Sequence, residues 1–94
     1  MKDFEKTLRN NKYKLQDTEF ATKVYRALCN TRWIDKDNPH NVFSCSWRYA
    51  GALIADIRDK GESYMDFYCN GNEGVIDPEV LEFFDSLGFS PQPM

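Results

Sequence analysis

The sequence contains no long run of apolar residues. None approaches the roughly 18 that a membrane-spanning helix needs. The N-terminal stretch MKDFEKTLRNNKYK also lacks the hydrophobic centre of a signal peptide. We therefore expect a soluble cytoplasmic protein with no membrane partner.

Histidine and cysteine are scarce, with one His and three Cys. Together His40, Cys29, Cys45 and Cys69 equal the ligand number of a Cys3His zinc site, but no CxxC or CxxH pair is present. The cysteines are interpreted as small buried apolar residues. We therefore assign no metal, although the sequence leaves open whether these four side chains converge.

No catalytic motif stands out. His40 and Cys45 would act as base and nucleophile only if the fold brought them together, which their separation does not establish. Asp66 and Glu73 flank a predicted turn, but a hydrolase needs carboxylates at a defined distance. Residues 70–74 lack the lysine of a P-loop and the alternating ligands of an EF-hand. We assign no catalytic residue and no cofactor, and favour a protein that is not an enzyme.

Basic residues are missing from the C-terminal third. Residues 61–94 contain seven acids and no Lys or Arg, whereas residues 1–34 contain eight Lys or Arg and four acids. The net charge of the whole chain is -3. This separation of charge would orient the protein on a charged partner. In the alternative interpretation, the acids only keep the protein soluble and stabilise the N-terminal ends of helices.

Aromatic residues are abundant, with seven Phe, five Tyr and two Trp among 94 residues. They provide enough apolar surface for a core without metals or disulfides. We predict a single compact α+β domain at residues 17–90, with three helices packed on a small antiparallel sheet. A basic N-terminal arm at residues 1–16, free to fray, precedes it, and a tail at residues 91–94 follows.

The central helix is predicted within residues 43–61. Ser44 or Ser46 can cap its start, and Gly61 supplies a left-handed end. Apolar residues at helical spacing predict its buried face: Trp47, Ala50, Leu53, Ile54 and Ile57.

The two other helices have clear starts. One begins after Asp17 and runs to about residue 31, and the other runs from Asp77 to Gly88 with Pro78 in its first turn. Their predicted core residues are Phe20, Val24, Leu28, Val80, Leu81, Phe84 and Leu87.

The sheet is predicted from the remaining segments. Residues 63–69 alternate between apolar and polar, and residues 75–76 can pair back across the turn. Val42 and Phe43 predict a brief strand, and residues 35–41 are interpreted as a polar loop.

Four stretches resemble small uncharacterised proteins carried by bacteria and their phages or plasmids. They are ALCNTRW (27–33), FSCSWRYAGALIADIR (43–58), YMDFYCNGNEG (64–74) and the end of the acidic helix, LGF (87–89). That group has no assigned activity, so the resemblance transfers no site residue. It implies a protein that occupies a site on a larger host protein, as inhibitors of CRISPR and other defence complexes do.

Our first hypothesis is a non-enzymatic interaction module that binds a host protein, in particular a basic nucleic-acid-binding one, through the acidic C-terminal third. Exposed tyrosines would supply the buried anchor. We do not expect direct contact with nucleic acid. The predicted partner-binding residues are Tyr64, Tyr68, Glu73, Asp77, Glu79, Glu82 and Asp85.

Two alternatives stay open. The first is a binder of a small anionic ligand or of nucleic acid through Arg26, Arg32 and Arg48. In the structural interpretation of these residues, Arg48 instead pairs with Asp56, Asp66 or Glu73 and fixes the central helix against the predicted strand. The second alternative is a small enzyme of unknown class.

Overall fold

The computed structural model of the protein describes residues 2–58 and 76–93. Within these ranges the chain forms an α+β domain, as predicted, with four α-helices and a three-stranded antiparallel sheet. No helix in them is long and apolar enough to cross a bilayer. The elements, in chain order, are α1 (Phe4–Asn10), a 3₁₀ helix (Lys12–Gln16), α2 (Thr18–Asn30), β1 (Thr31–Asp35), β2 (Asn38–Phe43), α3 (Trp47–Ile57), α4 (Pro78–Leu87) and β3 (Phe89–Pro93).

The sheet has the strand order β2-β1-β3, with β1 in the centre. β1 and β2 form a hairpin in which Trp33 pairs with Phe43, and an irregularity follows Ile34. β3 pairs with the other side of β1, from Asp35 opposite Phe89 to Thr31 opposite Pro93. The segment interpreted as a tail therefore contributes residues 91–93 to the sheet.

The prediction of a polar loop at residues 35–41 is wrong. Only Lys36 and Asp37 form the turn, and the strand β2 begins at Asn38. Pro39 and His40 in this strand are exposed. Among the described strands β2 pairs with β1 alone. Antiparallel strands of this kind have exposed positions that polar residues occupy. The amino-acid composition of residues 38–41 therefore resembles that of a loop.

Aromatic side chains join the sheet to the helices. Trp33 is 1% exposed, and its ring centroid lies 4.2 Å from that of Phe84. Phe4 stacks on Phe43 at 5.1 Å and on Phe84 at 5.5 Å, and meets Phe89 edge-on at 4.9 Å. The first residue of α1 is therefore part of the core.

The N-terminal segment is ordered rather than frayed. The Asp3 side chain accepts a hydrogen bond from the Lys6 N–H at 3.1 Å and caps α1. Phe4, Leu8 and Leu15 are all buried. The segment has few apolar residues, but these three side chains anchor it in the core.

The helix α2 forms as predicted. The Asp17 carboxylate accepts hydrogen bonds from the N–H groups of Glu19 at 2.9 Å and Phe20 at 3.3 Å. Phe20, Val24 and Leu28 are buried, so the predicted apolar row faces the core.

The central helix α3 begins at Trp47, capped by the Ser46 hydroxyl, which accepts from the Tyr49 N–H at 3.2 Å. The prediction that Trp47 is a core residue is wrong, because its side chain is 48% exposed. The other residues of the first turn, Arg48 and Tyr49, are exposed as well. Trp47 fits the helical spacing of the apolar residues, but the first turn of α3 extends past the core, so that position stays exposed. The rest of the predicted stripe is buried: Ala50, Leu53, Ile54 and Ile57.

The ends of the C-terminal helix α4 are as predicted. Asp77 caps it by accepting from the Glu79 N–H at 2.9 Å, and Pro78 is its first residue. Gly88 ends the helix with a φ of 92°, the left-handed conformation that glycine adopts without a Cβ penalty.

The inner face of α4 differs from the predicted one by one residue. Leu81 was expected in the core but is 41% exposed, and Phe83 is buried instead. Val80 and Phe84 are buried and Leu87 is partly buried. Both residue sets fit helical spacing around Phe84, so the pattern alone did not determine which flank faces inward.

Several predicted features lie outside the described residues. They are the strand at residues 63–69, the turn at residues 70–74, the strand start at Val75 and the helix end at Gly61.

Candidate interaction surface and cavity

The acidic residues of α4 divide into two groups. Asp77 lies at the start of the helix, where the Glu79 N–H donates to it and Lys23 Nζ lies 3.3 Å from its Oδ2. The hydrogen bond from the Glu79 backbone is the main reason that the pKa of Asp77 is lowered. Asp85 pairs with Lys36. Both carboxylates therefore tie α4 to the rest of the fold.

Lys23 connects α2 to the start of α4. Its Nζ contacts Asp77 and lies 3.8 Å from Glu79 Oε2. The hydrogen bond to Asp77 raises the pKa of Lys23. Within the described residues, a lysine of the basic N-terminal third thus contacts two acids of the C-terminal third.

Glu79 and Glu82 are held less firmly, because Glu79 lies 3.8 Å from Lys23 Nζ and Glu82 takes part in none of these ion pairs. Both are exposed, and within the described part of the chain no ion pair involves Glu82. Leu81 lies between them in sequence and is exposed too. These side chains are available to a partner.

A groove of about 640 Å³ runs between the 3₁₀ helix and α4. We call it the α4 groove. Glu79 and Glu82 line one side, and Tyr13, which is 68% exposed, lines the other. Phe20 and Phe83 also line it and meet edge-on at 5.3 Å. The groove therefore combines carboxylates with aromatic surface.

Two further charged groups belong to the α4 groove. Asp17 and Lys14 both line it, and Lys14 Nζ lies 5.7 Å from the centre of the Phe20 ring. Tyr13 was not among the predicted site residues, because nothing in its local sequence shows that the 3₁₀ helix packs beside α4.

Tyr64, Tyr68 and Glu73, the other predicted partner-binding residues, lie outside the described residues. Their role stays a prediction.

The three arginines of the alternative hypothesis lie on different elements. Arg26 is on α2, Arg32 on β1 and Arg48 in the first turn of α3. Arg48 is exposed, with its guanidinium 5.7 Å from the centre of the Trp47 ring. Of its three predicted ion-pair partners, Asp56 pairs with Arg9, and Asp66 and Glu73 lie outside the described residues. None of the three arginines lines the α4 groove, and their role in anion binding stays a prediction.

A second concave feature lies where the start of α1, the end of α2, β1 and α3 meet. It is a cavity of about 190 Å³ with walls formed by Phe4, Leu28, Trp33, Phe43 and Leu53. We call it the α1–α3 cavity. Its lining is mainly apolar, with a few polar groups at one side.

The polar side of the α1–α3 cavity is a hydrogen-bonded network. Glu5 Oε1 accepts from Arg9 Nη2 at 2.8 Å, and Glu5 Oε2 accepts from the Tyr49 hydroxyl at 2.7 Å. The Arg9 bond, followed by the Tyr49 bond, lowers the pKa of Glu5. The same bond to Glu5 raises the pKa of Tyr49 to about 12.

Cys45, which also lines this cavity, is a protonated thiol. Its Sγ donates to the Leu28 carbonyl at 3.6 Å. Burial raises its pKa to about 12, and burial likewise raises the pKa of Cys29. A thiol is a poor nucleophile in this state, so the geometry gives no support to a Cys45–His40 catalytic pair.

Within residues 2–58 and 76–93, no group of three or more His, Cys, Asp or Glu side chains could hold an ion. Cys29 and Cys45 are free thiols, and His40 is exposed on β2. Cys69 lies outside these ranges.

Comparison of the chain with protein-family models, with curated proteins and with solved structures gave no match.

Proposed function

We propose that the protein is a non-enzymatic interaction module that binds a basic segment of a larger host protein in the α4 groove. The observation that carries this proposal is the make-up of the groove, where Glu79 and Glu82 face an exposed Tyr13. Charges steer association and set specificity, and aromatic residues buried on binding supply much of the affinity.

The acids of α4 contribute unequally to this function. Asp77 and Asp85 are held by Lys23 and Lys36, so their main effect is to position the helix. Glu82, which no described cation neutralises, carries the attraction together with Glu79. This assignment refines the predicted set of partner-binding residues.

The chemistry of the groove defines its occupant. Lys or Arg side chains of the partner would lie over Glu79 and Glu82, and an apolar side chain would pack on the exposed ring of Tyr13. A surface that binds nucleic acid offers such a combination of charge and exposed apolar groups. We therefore propose a host nucleic-acid-binding protein as the partner class.

The resemblance to small proteins of phages and plasmids supports a role as an inhibitor. A protein that covers a basic nucleic-acid-binding surface blocks that surface by competition. Inhibition of a host defence complex, including a CRISPR complex, is the biological setting that we propose.

The test is a charge reversal on the groove. The partner is first captured from the native host with the wild-type chain and identified, and its Kd is then measured for Glu82→Lys at low and high salt. We expect the variant to weaken binding about tenfold or more at low salt and to reduce the salt dependence of the Kd. The measurement is titration calorimetry.

The matched control is Asp37→Lys, which makes the same charge change in the β1–β2 turn. Asp37 is exposed and does not line the α4 groove. Equal weakening by Asp37→Lys would show that net charge, not the groove, governs binding. A Kd unaffected by both Glu82→Lys and salt would contradict the proposal.

A further inference from the structure

The α1–α3 cavity has the size of a small-molecule site. Its volume is about 190 Å³, whereas an apolar cavity of about 150 Å³ in another protein takes up benzene. The space therefore accommodates one aromatic ring with a short substituent. Phe4, Trp33 and Phe43 in its walls provide faces and edges on which such a ring packs.

The charged groups that line the cavity are all carboxylates. Asp3 and Glu5 line it, and no Lys or Arg does. Asp3 is already used as the cap of α1 through the Lys6 N–H. Glu5 accepts one hydrogen bond on each oxygen, and each carboxylate oxygen has capacity for a second. The cavity thus offers an acceptor to a ligand and has no cationic group for an anion.

Glu5 is fixed in position before any ligand arrives. The Arg9 guanidinium holds one oxygen and the Tyr49 hydroxyl the other, and Arg9 is itself paired with Asp56. These contacts keep Glu5 ionised at neutral pH. A preorganised acceptor loses little conformational entropy on binding.

We propose that the α1–α3 cavity binds a small aromatic amine, with the ring packed against the cavity walls formed by Phe4, Trp33 and Phe43 and the ammonium group donating to Glu5. This inference is independent of the α4 groove and of the proposed protein partner. It adds a separate ligand site where the helices meet the sheet.

The test is a series of three ligands with similar apolar bodies and different charges. Phenethylamine is cationic, indole is neutral and phenylacetate is anionic at pH 7. We expect phenethylamine to bind about tenfold or more tightly than phenylacetate, with indole between them. Chemical-shift changes of the backbone amides around the cavity give the Kd and the location. Equal binding of phenylacetate, or no binding of any ligand at millimolar concentration, would overturn the proposal.

A variant separates the charge of Glu5 from the shape of the cavity. Glu5→Gln keeps the side-chain size and an acceptor for Tyr49 but removes the charge. We expect it to weaken phenethylamine about tenfold and to leave indole unchanged, with a folded amide spectrum as the check on structure. An unchanged phenethylamine Kd would overturn the assignment of Glu5.

The matched control is Glu82→Gln, which makes the same change in the α4 groove. We expect it to leave the phenethylamine Kd unchanged. A loss of affinity in Glu82→Gln but not in Glu5→Gln would place the ammonium in the groove and overturn the inference.

Discussion

Asp35 is a buried carboxylate at the end of β1 that holds three segments together. Its Oδ1 accepts from the Asp37 N–H at 2.9 Å, and its Oδ2 accepts from the Lys2 N–H at 3.4 Å and from Asn41 at 3.5 Å. Burial alone would raise the pKa of Asp35, but these hydrogen bonds and the Lys2 ammonium outweigh it and lower the pKa. The charged form is therefore the one that the fold requires.

The lowered pKa of Asp35 makes stability depend on pH. Its contribution is complete above the unfolded pKa of about 3.9 and is lost as the pH falls through the lower folded pKa. We expect the free energy of unfolding to fall below about pH 4, and to fall less steeply in Asp35→Asn. Urea denaturation between pH 2 and 6 measures both slopes. Identical slopes in the two proteins would contradict the assignment.

Cys45 should be nearly inert towards alkylation. Its pKa of about 12 lies far above the usual value of about 8.5, so the reactive thiolate is about a thousandfold rarer at pH 8. Peptide-resolved mass spectrometry after iodoacetamide treatment should show Cys45 reacting far more slowly in the native chain than in the denatured one. Labelling at equal rates would mean that the thiol is not buried.

At the scale of elements, the boundary of the core within α3 can be tested directly. Ile54 is fully buried, whereas Trp47 in the first turn is 48% exposed. We expect Ile54→Ala to reduce the free energy of unfolding by about 2 to 5 kcal/mol, and Trp47→Ala to cost less than about 1 kcal/mol. Urea denaturation provides both values. An equal loss of stability in Trp47→Ala and Ile54→Ala would show that Trp47 belongs to the core, as the sequence predicted.

Local chemistry explains which elements were predictable. The ends of α4 could be read from Asp77, Pro78 and Gly88, since caps act through neighbouring residues only. The strands could be predicted only in part, since of the residues in β2 only Val42 and Phe43 were expected to form one. β2 is polar because much of it is exposed, and β3 contains Pro91 and Pro93, residues that usually argue against a strand. β2 forms by pairing with β1 across the hairpin turn, whereas β3 pairs with β1 from the far end of the chain, which a local pattern does not show.

The same distinction applies to the candidate site. The exposure of Glu79 and Glu82 follows from the helical face opposite Phe84 and could be anticipated. The α4 groove also needs Tyr13, which comes from a 3₁₀ helix more than 60 residues away in sequence. The carboxylate Glu5 and its partner Tyr49 are likewise joined only by tertiary packing.

At the scale of the whole molecule, the N-terminal segment closes the fold. Lys2 Nζ donates to the Gly88 carbonyl at 3.3 Å and contacts Asp37 at 3.0 Å, and Phe4 packs among three aromatic rings. The two ends of the described chain are therefore in direct contact. The segment first interpreted as a basic arm is a structural part of the domain.

Removing Phe4 should accordingly destabilise the whole protein. We expect Phe4→Ala to lower the free energy of unfolding by about 3 to 5 kcal/mol. Tyr13→Ala, in the same segment but 68% exposed, should change it by no more than about 0.5 kcal/mol. Thermal denaturation followed by circular dichroism measures the difference. A small effect of Phe4→Ala would indicate that α1 is dispensable.

The two prolines of β3, Pro91 and Pro93, affect whether another chain can pair with this strand. They are two positions apart, so both ring nitrogens face the same direction, and neither carries a hydrogen to donate. The strand register places them opposite Trp33 and Thr31 of β1. Among the described strands β3 pairs with β1 alone, and an extended chain that approached its other side would meet two positions without a donor, which disfavours edge-to-edge pairing there.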